Sequence, residues 1–321
     1  MFESNELNFG LSLEDSHIES TNENTLDLSV TDSATDNNEK KIKGLSKEEY
    51  DDPNQIRVTI ADPKAPLVIL FGPPACGKTM TLVRLARFLN KRGYKISPIR
   101  TFRPNDDQNY VEICNSANFS KIINSPDAAN STANISFMLV EVIKDGKRLC
   151  QILEAPGEYY FNPNNPSMPF PSYVNTIIAS NNRKLWAIMV EPDWRDTVDR
   201  SNYVERINDL SKQMDVKDKT LFIFNKIDKT NFTRKKGQIN IPQAREEISN
   251  LYPGIFEMFK NQNPITKLWK EYLCGFVPFQ TGTYTITTKK DSKGNSIWNY
   301  QEGPDNYPQM LWNEIQKSIT G

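Results

Sequence analysis

Histidine is almost missing from this chain. The one copy among 321 residues is His17, in a polar N-terminal stretch, which excludes His-dependent nucleophile triads and His-rich metal sites. Cysteine is scarce too: Cys76, Cys114, Cys150 and Cys274 are scattered with no CxxC pair, so neither a zinc site nor a disulfide framework is expected. No apolar run approaches the roughly 20 residues that a membrane-spanning helix needs. The start, MFESNELNFG, lacks the basic-then-apolar order of a secretion signal. A cytoplasmic protein without a membrane span is the expectation. Net charge is −1, which gives no general sign of a nucleic-acid partner, and none is expected.

That balance hides an asymmetry. Residues 1–55 hold 14 acids against 4 lysines, a net of −10, which leaves +9 for the remainder. The first segment is rich in Ser, Asn, Thr and Asp with sparse hydrophobics, a composition that buries too little apolar surface to offset chain entropy. It reads as a disordered acidic leader, followed by one domain over 56–321 with inserts near 94–134 and 283–301. A basic body suits an anionic ligand.

From residue 56 the texture becomes that of alternating strands and helices. IRVTIAD and PLVILFG read as strands, the second a continuous apolar run of the kind buried on both faces. KTMTLVRLARFLNKRG follows at helical spacing with Gly93 as a stop. SFMLVEVIKDGKRLCQILEAPG reads as two strands joined by a KDGK turn. KLWAIMVEP, KTLFIFNKID and LCGFVPFQTG supply three more strands, with helices expected over 198–214, 242–260 and 308–319. An extra β-hairpin is expected at 283–301, turning at Lys293-Gly294-Asn295. Strands that alternate with helices predict a parallel sheet covered on both faces.

Three motifs carry chemistry. FGPPACGKTM, residues 71–80, has the G-x4-GKT spacing of a phosphate-binding loop between an apolar strand and a helix. Backbone N–H groups and the helix N-terminus would wrap phosphates, Lys78 would reach the β/γ oxygens, and the Thr79 hydroxyl would ligate Mg2+. Gly72, Ala75, Cys76, Gly77 and Met80 complete the cradle, since Pro73 and Pro74 remove donors only at their own positions. QILEAPGE ends a strand in Glu154, a candidate Mg2+ ligand, with Gly157 placed to offer its N–H to a γ-phosphate. FIFNKIDKT sets Asn225, Lys226 and Asp228 at the mouth of another strand. A carboxylate there accepts both N1–H and the 2-amino group of guanine, a pattern adenine does not offer. Asn225 can bond the base edge and bind back to the phosphate loop, and the Lys226 stem can lie over the ring.

In this order GPPACGKT, EAPG and NKID resemble the P-loop GTPases of the small G-protein and translation-factor class, over roughly residues 65–282 plus a closing helix. A looser likeness is to bacterial GTPases of conflict-related or assembly operons. The resemblance implies an α/β P-loop NTPase fold, a three-layer sandwich around a mostly parallel six-stranded sheet with one antiparallel strand. It implies Mg2+-dependent hydrolysis of GTP to GDP, two switching loops, and a protein effector or activating protein as partner. It also implies a first-switch threonine that binds Mg2+, for which Thr132 is the choice and Thr101 the alternative. The base-contacting loop would fall at Gln280, Thr281 and Gly282. Glu154 stands where the class usually has Asp, and Glu158 where it carries Gln or His to orient the attacking water. Lys78, Gly157 and Glu158 are therefore the catalytic candidates. Two alternatives stay open: a GTP-dependent binding or assembly protein with negligible hydrolysis, and a P-loop ATPase or small-molecule kinase.

Overall fold

Two of the apolar runs make the centre of the sheet. LVILF forms β1 (Leu67–Phe71) and KLWAIMV forms β5 (Lys184–Val190), and every residue of both is buried. Since successive side chains point to opposite faces, burial of both sets requires cover on both sides. The computed structural model describes residues 45–60, 62–104, 107–115, 119–120, 123–124, 137–230, 233–235, 238–290 and 296–320.

Between these two strands the chain forms α2 (Lys78–Asn90), β2 (Lys95–Pro98), α3 (Gln108–Cys114), β3 (Met138–Lys144), β4 (Lys147–Glu154), a one-turn α4 (Gly157–Tyr160) and α5 (Ser172–Ala179). After β5 come α6 (Thr197–Gln213), β6 (Lys219–Phe224), a small ladder of β7 (Thr233–Lys235) with β8 (Gln238–Ile239), α7 (Ile241–Leu251) and β9 (Gly275–Pro278). A hairpin of β10 (Gly282–Lys290) and β11 (Ser296–Glu302) precedes α8 (Asn306–Thr320). A short α1 (Lys47–Asp51) precedes β1.

The main sheet runs β2-β3-β4-β1-β5-β6-β9. Strands β4, β1, β5, β6 and β9 are mutually parallel, and β3 is antiparallel to β4. Asp145 and Gly146 both take positive φ in the turn joining β3 and β4, 50° and 74°, which matches the twist of a tight hairpin. The six expected strands and the single antiparallel one are present. A seventh, β2, is added at the edge by antiparallel pairing with β3. This is an α/β P-loop NTPase fold, with the hairpin β10–β11 as the expected addition.

Three local expectations change. IRVTIAD is not a strand: over residues 56–60 one backbone bond, from Thr59 N–H to the Phe102 carbonyl (2.8 Å), ties it to its neighbour. The sheet edge is occupied by β2 instead. The helix expected over 242–260 ends at Leu251, because Pro253 and Gly254 (φ 84°) turn the chain. Residues 45–55, expected as part of the disordered leader, are structured. Leu45 is buried, Ser46 and Glu49 form a reciprocal capping box on α1, and Glu49 pairs with the buried Arg103.

The phosphate-loop helix α2 is buried along most of its length, arginines included. Arg84, fully buried, donates to the Gly303 carbonyl and to Asp305 (both 2.7 Å) and pairs with Glu302 (3.3 Å). Arg87 and Lys91 reach the same Glu302. One stripe of α2 thus clamps the foot of the hairpin, and α8 packs against α2 and against β5, β6 and β9.

Candidate functional site

The loop between β1 and α2 needs its glycines. Gly77 opens the helix at φ 90°, and a Cβ there would lie 2.3 Å from Asn225 Nδ2. A Cβ on Gly72 would lie 2.7 Å from Cys76 Sγ and 2.9 Å from Met189 Cβ. Ala75 also takes a left-handed conformation, φ 60°, at some cost for a residue with a Cβ. Cys76 and Met80 are buried beneath the loop, and burial pushes the Cys76 thiol up to about 11, far from a reactive thiolate. Lys78 is 5% exposed, and its Nζ donates to the carbonyls of Gly72 (3.1 Å) and Pro73 (2.9 Å). The ammonium is therefore held folded back over the loop by weak neutral acceptors.

The second motif meets the first at two points. Thr79 Oγ1 donates to Glu154 Oε1 at 2.8 Å. Glu154 is buried at the end of β4, its Oε2 has no hydrogen-bond partner, and burial pushes its pKa to about 8, against the pull of Lys78 and Thr79. A buried carboxyl oxygen without a partner, beside a hydroxyl oxygen, fits a small hard divalent cation. Mg2+ commonly takes one or two protein oxygens and completes its shell with water and phosphate. Among the described residues no group of three or more His, Cys, Asp or Glu could hold a metal. The second meeting point is Gly157: a Cβ there would lie 2.3 Å from the Pro74 nitrogen and 2.5 Å from the Pro73 oxygen. Only a glycine lets α4 rest on the two prolines. Glu158, next along α4, is exposed. The chain beyond is pinned by buried Arg206, which donates to the carbonyls of Tyr160 and Met168 (both 2.7 Å).

The third motif is tied to both ends of the site. Asn225 Nδ2 donates to the Cys76 carbonyl at 2.9 Å, and Asn225 is buried. Lys226 takes φ 55°, and its ammonium pairs with Glu191 at the end of β5. Asp228 sits in the 3-10 turn Ile227–Lys229 with its residue exposed at the mouth. Burial of the carboxyl raises its pKa, with Lys229 and Lys226 opposing. Phe279 joins this turn to the next loop: its N–H donates to Phe224 O (2.7 Å) and its carbonyl accepts from Ile227 N–H (3.3 Å). Gln280 is half-buried and Thr281 buried, and the Thr281 carbonyl accepts from the Tyr300 hydroxyl at 2.9 Å. Gly282, the third residue expected in this loop, opens β10.

The structure therefore brings Gly72–Met80, Glu154, Gly157 and Asn225 together, with Asp228, Gln280 and Thr281 at the same, C-terminal end of the parallel strands. Open α/β sheets bind ligands at that end. Thr132 lies outside the described residues. Thr101 is exposed in the turn Arg100–Phe102 after β2.

Two residues here escape sequence reasoning. Glu191 fixes the Lys226 ammonium through a contact between neighbouring strands. Tyr284, the third residue of β10, packs its ring on Tyr300 (centroids 5.2 Å apart), and burial raises its pKa, with the charge of Asp228 adding to the rise. The hairpin therefore reaches the end of the site where Asp228 lies. The signal available was position alone: a hairpin that begins at Gly282, directly after the expected base loop, must pass beside it.

The strand order and the loop between β1 and α2 define an α/β P-loop NTPase fold. No family model matches the chain, and no curated protein does. Among solved structures, a putative nucleolar GTP-binding protein 1 from Plasmodium falciparum is 14% identical over 81% of this chain and 90% of its own, with a TM-score of 0.37. The GTPase-like domain of S. cerevisiae Ski7, bound to GDP and inorganic phosphate, is 14% identical over 80% of this chain and 51% of its own, TM-score 0.39. A GTPase from Pyrococcus abyssi in apo form is 9% identical over 80% and 98%, TM-score 0.36.

Proposed function

We propose that this chain binds GTP with Mg2+, hydrolyses it to GDP and works as a nucleotide-dependent switch with a protein effector or activating partner. One observation supports the reading most: the hydrogen bond from Asn225 to the Cys76 carbonyl. It couples a guanine-type NKxD turn to a phosphate-type loop 149 residues earlier, an arrangement with no evident use unless one ligand spans both.

The steps follow from this chain's own groups. The amides from Ala75 to Thr79, at the N-terminus of α2, take phosphate oxygens. Lys78 exchanges its two carbonyl acceptors for phosphate oxygens, a charge-assisted and therefore stronger pairing. Thr79 and Glu154 would hold Mg2+, which when bound would supply positive charge to the phosphate oxygens. Asp228 accepts the guanine N1–H and 2-amino protons, and Asn225 keeps that turn in register with the loop. Gly157 offers its N–H on the γ-phosphate side, and the exposed Glu158 orients water and accepts its proton. Catalysis is positioning and electrostatic stabilisation, with no covalent intermediate.

The reading is tested by Asp228→Asn. Loss of the double acceptor lowers GTP affinity by at least about tenfold, with ATP affinity unchanged. An unaltered GTP-to-ATP preference would refute the guanine assignment. A second reading, GTP binding with negligible hydrolysis, is favoured by the packing of Gly157 on Pro73 and Pro74, which crowds the γ-phosphate side. Single-turnover hydrolysis by the purified chain separates the two: GDP formed without any partner protein counts against the second.

A further inference from the structure

Between α7 and β9 the chain makes a loop, residues 260–273, to which the nucleotide reading gives no task. Asn261 is buried and turns its amide into the loop. Its Nδ2 donates to Thr266 Oγ1 (2.8 Å) and the Lys270 carbonyl (2.9 Å), and its Oδ1 accepts from Asn263 N–H (3.0 Å). Asn263 Oδ1 accepts in turn from the N–H groups of Ile265 (2.9 Å) and Thr266 (3.1 Å). Backbone bonds from Asn261 to Glu271 (2.8 Å) and from Leu273 to Phe259 (2.7 Å) close the base. The loop is ordered by its own polar centre, and its apolar side chains are held outside.

Those side chains are unusually exposed: Ile265 66%, Leu268 78%, Trp269 72% and Leu273 53%. They are four of the eight large hydrophobics exposed among the described residues, so the exposure is concentrated rather than scattered. A fifth, Val216, is fully exposed in the turn before β6. β6 and β9 are parallel neighbours, so both turns lie at the same, N-terminal end of the sheet. The loop carries Lys260, Lys267 and Lys270 against Glu271, a net of +2. Lys260 pairs with Glu257, whereas Lys267 and Lys270 have no carboxylate partner among the ion pairs of the described residues.

We propose that this loop docks on an anionic bilayer surface, with Ile265, Leu268 and Trp269 at the headgroup boundary and Lys267 and Lys270 on anionic headgroups. Tryptophan and aliphatic side chains interleaved with lysines are the chemistry of that boundary, where the lysine stems lie along apolar groups and the ammonium stays in water. The centre of a protein–protein contact is instead depleted of lysine, and here lysines flank the most exposed pair, Leu268 and Trp269. Strand β9 leads from this loop to Gln280 and Thr281, so the two sites lie at opposite ends of one strand. A chain seated on the loop keeps the P-loop end facing away from the bilayer. This inference does not depend on which nucleotide is bound.

The test uses the full chain with phosphatidylcholine vesicles, with and without phosphatidylserine. Co-sedimentation is expected with the mixed vesicles, stronger at low salt, together with a blue shift of tryptophan emission from Trp269. Trp186, Trp194 and Trp312 are buried and stay silent, and loss of the shift in L268S/W269S assigns it to Trp269 rather than to Trp298. L268S/W269S lowers the apparent partition constant at least about tenfold. K267E/K270E, which leaves the apolar side chains in place, lowers it at least about tenfold on mixed vesicles. Absence of co-sedimentation at low salt would overturn the proposal and leave a protein-docking surface. Binding as strong in both double variants as in the parent chain would overturn it as well.

Discussion

Glu154→Gln should stabilise this protein in the absence of divalent ions, by an amount set by pH. The Glu154 carboxyl is 2% exposed, accepts one hydrogen bond from Thr79, and leaves its second oxygen without a partner. Burial therefore raises its pKa from 4.5 to about 8. Below the unfolded value both states are protonated and the group contributes nothing. Between the two values the folded state holds a proton that the unfolded chain has released, so stability falls as pH rises and levels off above the folded value. At neutral pH the proton is held across roughly 2.5 units, which corresponds to about 3 kcal/mol as an upper figure. A glutamine keeps the shape and the acceptor for Thr79 and has no proton to lose. Urea denaturation in EDTA should show the variant more stable than the parent by up to about 3 kcal/mol near neutral pH, with the gap closing as pH falls toward about 4.5. Asp228 and Glu191 also have raised values, but they titrate in both proteins and drop out of the difference. A variant no more stable than the parent at neutral pH, or a gap that does not change with pH, would refute the reasoning.

Other outcomes follow from the same contacts. Gly77→Ala sets a Cβ 2.3 Å from Asn225 Nδ2 at a φ of 90°. It should destabilise the fold by roughly 1–3 kcal/mol and weaken nucleotide binding, read by denaturation and titration. Arg84→Ala leaves the Gly303 carbonyl without its donor and removes the buried cation shared by Glu302 and Asp305, while Glu302 keeps Arg87 and Lys91. A loss of roughly 3 kcal/mol is expected by denaturation, and unchanged stability would show that the clamp contributes nothing.

The central layer was legible because its chemistry is local. An apolar run, a G-x4-GKT spacing and a helical period suffice to place β1, the loop and α2, and KDGK suffices for the turn between β3 and β4. Elsewhere the deciding neighbour is distant in sequence. IRVTIAD has strand composition, yet β2 holds the edge, and KISP (residues 95–98) is too short and too close to a proline to announce itself. The capping box at Ser46 and Glu49 was readable in LSKEE but was masked by the acidic composition around it. Glu191 and Tyr284 acquire their places from cross-strand and hairpin packing, which no spacing in their own segments encodes. Glu154 was visible as a strand-end acid, but the upward shift of its pKa arises from burial.

The central claim, that one guanine nucleotide spans the loop at Gly72–Met80 and the turn at Asp228, is tested most directly by calorimetry. The full chain would be titrated with GDP, a non-hydrolysable GTP analogue and ATP, each with Mg2+ and with EDTA. The account predicts saturable binding of both guanine nucleotides, tighter for the triphosphate when Mg2+ is present, and ATP weaker by at least about tenfold. Equal affinity for ATP and the GTP analogue, or no heat with any of the three, would contradict it.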